Sequence, residues 1–164
     1  MHHGTCVLIV DDEQELAQLV WAPYLQALGY EIVGVCASAE EALALATVHP
    51  PRIAIVDISL AGDMSGVEAA AHLIARFSVQ IVFCTAYTRG DAPDLELLTA
   101  GFVYLEKPFS MEELGHAVAA AARDAEQKTM ESRDHNFLVR MNSKADLISI
   151  QINAARRRDG ESHD

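Results

Sequence analysis

The chain has little with which to build a disulfide scaffold, cross a membrane or hold a polyanion. Its three cysteines are too few for a disulfide framework and lack metal-ligand spacing. Cys6, Cys36 and Cys84 therefore read as small hydrophobes in a reducing compartment, the cytoplasm. No apolar run approaches the ~20 residues that span a bilayer, and no charged-then-apolar leader opens the sequence. Bases are scarce: 12 Lys and Arg stand against 24 acids, a formal net charge of −12, which would repel phosphates overall and disfavours nucleic acid as a partner. None of the seven histidines has a neighbour suggesting catalysis. What the chain does have is a 51% apolar composition over 164 residues, enough for the core of one domain with a modest appendage.

The charge is unevenly spread. Residues 1–127 hold 18 acids and 5 bases, a balance of −13, whereas residues 128–164 hold 6 acids and 7 bases, a balance of +1. A composition boundary near residue 127 divides a domain at 1–127 from a C-terminal extension at 128–164.

Within the domain, short β-branched runs alternate with helical patterns. Cys6–Val10 is a near-continuous apolar run, as in a strand covered on both faces, and it ends in Asp11-Asp12-Glu13. A helical stripe follows through Leu16, Leu19, Val20, Tyr24, Ala27 and Leu28, stopped by Gly29. Pro23 lies inside it and should kink or break it. Trp21 falls on the opposite flank with Gln14, Gln18 and Leu25, where an exposed contact residue and a core-edge tryptophan are both open readings. Glu31–Ala37 reads as a second strand, and Ser38 with Glu41 as a capping box leading into a helix up to Val48. Arg52–Val56 is a third strand ending in Asp57. A loop with Gly62 and Gly66 leads to a helix near Val67–Phe77. Val79–Cys84 is a fourth strand ending in Thr85. Asp91–Thr99 is a weaker helix, Phe102–Leu105 a fifth strand, and Glu106-Lys107-Pro108 follows it. Ser110 and Glu113 form a capping box on a fifth helix reaching at least Arg123.

Five strands alternating with five helices imply an α/β fold with a parallel sheet and helices on both faces. Ligands of such sheets bind outside the carboxyl ends of the strands. Asp11, Asp12, Asp57, Thr85 and Lys107 all fall just after a strand, so four separate segments converge on one rim. Three carboxylates at one rim repel: at ~4 Å and an effective dielectric near 20, each pair costs on the order of 4 kcal/mol. Either one is protonated or a cation sits among them. Oxygen-only donors favour a hard ion such as Mg2+. A lysine and a threonine hydroxyl add donors suited to phosphoryl oxygens, and carboxylates are phosphoryl-accepting nucleophiles. The residues point to phosphoryl transfer onto an aspartate, assisted by magnesium.

Residues 5–125 resemble the receiver domain of two-component response regulators, on the Asp11-Asp12 pair, Asp57, Thr85, Lys107-Pro108 and the aromatic Tyr104 three residues before the lysine. The resemblance implies a CheY-like, flavodoxin-like sheet of order 2-1-3-4-5. It implies Asp57 as the phospho-acceptor, with a sensor histidine kinase or histidine phosphotransfer protein as donor and self-catalysed phosphorylation and dephosphorylation rather than enzymatic turnover. Asp11, Asp12, Asp57 and the main-chain carbonyl of Ser59 would hold Mg2+. Lys107, before a cis proline, would contact the phosphoryl group, while Thr85 and Tyr104 would act as the switch. Two departures concern the loop after Asp57: Ala61 replaces the usual proline, and the loop is one residue longer before Gly66.

The expected function is a stand-alone signalling or phosphorelay receiver that acts on an unknown downstream protein through protein contacts. The alternative is a minimal or truncated DNA-linked transcriptional regulator whose extension mediates dimerisation or DNA contact. Apolar runs at Phe137–Val139 and Leu147–Ile152 favour an extension packed on the receiver or on a second copy, a homodimer. The basic cluster Arg156–Arg158 is too short to constitute a DNA-binding domain. A dehalogenase-type hydrolase lacks its Asp-x-Asp arrangement here. A flavin-binding relative would need a phosphate cradle where the first loop is acidic.

Overall fold

Apolar runs of four to six residues form five strands, β1 (Cys6–Val10), β2 (Glu31–Cys36), β3 (Ile53–Asp57), β4 (Gln80–Thr85) and β5 (Val103–Glu106). The structure is a computed structural model and describes residues 4–87 and 99–126. All neighbouring strands pair in parallel, in the order β2-β1-β3-β4-β5, the CheY-like arrangement. Among the described residues the helices are α1, running from Gln14–Leu16 through a π-helical turn at Ala17–Trp21 into Ala22–Ala27, then α2 (Ala39–Val48), α3 (Gly66–Phe77) and α4 (Met111–Glu126). The expected Asp91–Thr99 helix, up to residue 98, and the whole 128–164 extension fall outside the described residues.

Strand alternation divides the core in two. Leu8 and Val10 of β1, Ala54 and Val56 of β3, and Ile81 and Phe83 of β4 face α2 and α3. Val7 and Ile9, Ile53 and Ile55, and Val82 and Cys84 face α1 and α4. Every residue of β3 and β4 is buried, which explains why these strands read as continuous apolar runs rather than as alternating ones. Phe83 packs edge-on to Phe102, 5.6 Å between centroids.

The helix starts follow the sequence. Ser110 accepts from the Glu113 N–H at 3.1 Å and Glu113 accepts from the Ser110 N–H at 2.7 Å, a complete capping box. These hydrogen bonds also hold the Glu113 carboxyl below its usual range. At α2, Ser38 accepts from the Glu41 N–H, but the Glu41 carboxylate reaches the N–H of Ala37 rather than that of Ser38. A further capping box, Ser65 with Glu68 on α3, was missed in the sequence although the Ser-x-x-Glu spacing is present.

The first helix departs from expectation in two ways. Its buried face consists of Ala17, Trp21, Ala22 and Leu25, and Trp21 is only 2% exposed. Most of the expected core stripe points outward instead, with Leu19 at 76% and Leu16, Val20 and Leu28 all exposed, while its Tyr24 packs partly against the core. Both sides of this helix are apolar, so periodicity alone could not choose between them, and the large indole takes the inner side. Pro23 does not break the helix. It follows the π-helical turn and sits in the first turn of Ala22–Ala27, where a missing N–H and a fixed φ are accommodated. Among the described residues no helix is long and apolar enough to cross a membrane.

Candidate functional site

The strand order reverses between β1 and β3, and there the two neighbouring crossovers run to opposite faces and leave a crevice at the carboxyl ends. β1 delivers Asp11 and Asp12 to this crevice, β3 delivers Asp57, and the segment after β5 delivers Lys107. Asp11 is fully buried and Asp57 is 5% exposed, while Asp12 is exposed.

The two buried carboxylates are aimed by the same local device. Asp11 Oδ1 accepts from the Glu13 N–H at 2.8 Å, and Asp57 Oδ1 accepts from the Ser59 N–H at 2.9 Å, each two residues on. Such side-chain turns fix the rotamer of a strand-end aspartate without help from outside the loop. The other oxygens share one cation: Lys107 Nζ donates to Asp11 Oδ2 at 2.8 Å and to Asp57 Oδ2 at 3.0 Å, with Glu13 at 3.5 Å. The Lys107-Pro108 bond is cis. Cys84 Sγ lies 3.8 Å from Asp11 Oδ2, and burial together with the two aspartates raises its thiol pKa. Strand register opposite Asp57 places this cysteine at the site, which sequence spacing does not reveal.

One ammonium between two carboxylates leaves an electrostatic imbalance. Burial pushes the Asp57 carboxyl up to about 6. Lys107 and the Ser59 N–H oppose the rise, and Asp11 adds to it. Burial alone would lower Lys107, but Asp57 and Asp11 outweigh it and hold its ammonium above the usual range.

The loop after β3 is built around a close approach. A Cβ on Gly66 would lie 1.8 Å from the Asp57 carbonyl oxygen, so only glycine admits the start of α3 here. The Gly66 N–H donates to the Ile58 carbonyl at 2.9 Å. Ala61 forms an isolated parallel bridge with Ser38, which ties the loop to the start of α2.

Asp11, Asp12 and Asp57 each offer an oxygen within 4.8 Å of the others. All three donors are carboxylate oxygens, the chemistry that suits a hard ion such as Mg2+. At the other candidate positions, Thr85 is fully buried and its hydroxyl oxygen accepts from the Tyr87 N–H at 3.1 Å. The half-buried Tyr104 donates its hydroxyl to the Tyr87 carbonyl at 3.1 Å. Ser59 meets Asp57 through its N–H.

Residues 7–119 match the response regulator receiver domain. The chain belongs to this family. Receiver domains are phosphoryl acceptors of two-component signalling rather than conventional enzymes, and they generally bind Mg2+ in an acidic pocket. Among curated relatives, the receiver is 34% identical over 115 residues to the transcriptional regulatory protein PdtaR of Mycobacterium tuberculosis, covering 70% of this chain and 55% of that protein. It is 31% identical over 138 residues to the phyllosphere-induced regulator PhyR of Methylorubrum extorquens, covering 81% and 49%. The chain thus spans about half the length of these relatives. Among solved structures, the signal receiver domain of a modulated diguanylate cyclase from Desulfovibrio desulfuricans superposes with a TM-score of 0.65 at 34% identity, covering 74% of this chain and 95% of that one. A CheY-like receiver protein from Methanospirillum hungatei gives a TM-score of 0.65 at 25% identity, covering 76% and 98%.

Proposed function

We propose that this receiver accepts a phosphoryl group on Asp57 from a phosphohistidine of a sensor kinase or phosphotransfer protein. The observation that carries the reading is the paired anchoring of Asp57, with one oxygen fixed by the Ser59 N–H and the other by Lys107 at 3.0 Å. An Asp57 carboxylate oxygen attacks phosphorus, the phosphorus–nitrogen bond of the donor breaks, and its electron pair returns to the imidazole. The product is an acyl phosphate. Lys107 moves from the carboxylate to a phosphoryl oxygen and remains paired with Asp11, so its charge stays compensated throughout. Bound Mg2+, held by Asp11, Asp12, Asp57 and the Ser59 carbonyl, would neutralise developing phosphoryl charge.

The switch follows from the two hydrogen bonds on Tyr87. Thr85 and Tyr104 hold its N–H and its carbonyl respectively. Turning the Thr85 hydroxyl towards a phosphoryl oxygen releases one of these bonds and loosens the segment against which Tyr104 is anchored. The phosphoryl group adds roughly −1.5 to −2 charges, enough to bias such a two-state element. The altered surface around β5 and α4 then engages a downstream protein. The domain extends over 1–127, and the 128–164 extension supplies packing or self-association. The protein works in the cytoplasm as a signalling or phosphorelay receiver, and it catalyses its own phosphorylation and dephosphorylation.

The test is phosphotransfer from radiolabelled histidine kinases or phosphotransfer proteins to the full chain and to Asp57→Asn. Label on the wild type alone supports the reading, and label on both chains or on neither refutes it.

A further inference from the structure

Lys107 has three carboxylates within reach, and one of them leads away from the site. Asp11 and Asp57 lie in the crevice, whereas Glu13, 3.5 Å from the ammonium, is 61% exposed. A four-carbon stem with free torsions can follow either direction. An aromatic ring also lies beside the ammonium, which stands over Trp21 at 5.6 Å from its centroid. That ring is itself fixed, buried at 2% exposure and packed on Phe109 at 5.2 Å with a 42° tilt. A cleft of about 390 Å³ opens beside it, with Leu16, Ala86, Pro108 and Phe109 among its walls. This gives the lysine an apolar flank.

We infer that Trp21 is a positioning residue for phosphoryl transfer, holding the Lys107 ammonium between Asp11 and Asp57 through the face of its indole. This rests on the reading of Asp57 as the phosphoryl acceptor. The indole face attracts a cation without taking up any of its N–H donors, so all three remain available for carboxylate and phosphoryl oxygens. An aliphatic side chain of similar bulk would fill the space without that attraction. The ammonium would then sample Glu13 and solvent, and transfer would slow with the fold intact.

The experiment compares the full chain with Trp21→Phe and Trp21→Met, phosphorylated by acetyl phosphate in excess Mg2+. Phenylalanine keeps a ring face and should retain most of the wild-type limiting rate. Methionine should lower it about three- to tenfold. Methionine at the wild-type rate, or an equal loss in both variants, overturns the inference. A second readout does not depend on either variant folding. Trp21 is the only tryptophan of the chain, so its emission reports the ring directly. Lys107→Met, shown by circular dichroism to be folded in excess Mg2+, should change that emission relative to the wild type under the same conditions, and identical spectra overturn the pairing. If the wild type takes no phosphoryl group, the acceptor reading fails, and the emission comparison still decides whether Lys107 sits over Trp21.

Discussion

Replacing Asp57 by asparagine should stabilise the metal-free protein, and only above acid pH. The folded carboxyl is raised from 3.8 to about 6 because the group is buried. Between these values the folded state keeps a proton that the unfolded chain has already given up. Stability therefore falls as pH rises from about 4 through about 6, and the loss is complete at pH 8, where the folded chain must hold a buried charge that one shared lysine does not fully offset. A difference of that size corresponds to about 3 kcal/mol. Asparagine keeps the shape and removes the ionisation, so Asp57→Asn should gain up to that amount at pH 8 with a chelator present. At ~2–4 °C per kcal/mol, this is a rise of about 6–12 °C in the unfolding midpoint. Urea unfolding of both proteins at pH 8 and pH 4 checks it. Equal stabilities at pH 8, or a gain that persists undiminished at pH 4, would refute the electrostatic argument.

Lys107→Ala leaves Asp11 and Asp57 buried without their shared cation and should cost about 3–5 kcal/mol in chelator at pH 8, with Mg2+ restoring part of it in urea titrations. Ser65→Ala removes the capping box of α3 and should lower stability by about 1 kcal/mol, read the same way. Leu25→Ala should cost about 2–5 kcal/mol because Leu25 is fully buried, whereas Leu19→Ala, at a largely exposed position, should stay within about 0.5 kcal/mol. The reverse ranking would mean that α1 buries its other face.

Much of this fold was legible because a buried parallel strand leaves an unambiguous trace. β3 and β4 are buried throughout, so Ile53–Val56 and Ile81–Cys84 had to be apolar, and the first polar residue after each had to lie at the rim. That logic placed Asp11, Asp12, Asp57 and Thr85 at strand ends without any coordinates, while strand bounds shifted by about a residue. The strand order came from family resemblance, since parallel strands of similar composition carry no label for their neighbours. The face of α1 was misread because Leu16, Leu19 and Val20 are as apolar as Ala17, Trp21 and Leu25, and a π-helical turn shifts the phase between them. The environment of Cys84 was hidden for a different reason. Its proximity to Asp11, 73 residues away, depends on strand register, and register is set by packing across the sheet. The approach of Gly66 to the Asp57 carbonyl likewise depends on the path of the loop between them, which residue spacing does not fix.

Asp57 is proposed as the nucleophile of a magnesium-dependent phosphoryl acceptor. The most direct test of this role is the intact mass of the full chain after incubation with acetyl phosphate, with and without Mg2+, beside Asp57→Asn. The wild type should gain the mass of one phosphoryl group only when Mg2+ is present, on the peptide containing Asp57, and the variant should gain none. An equal gain on Asp57→Asn, or no gain on a folded wild-type protein in saturating Mg2+, would contradict this role.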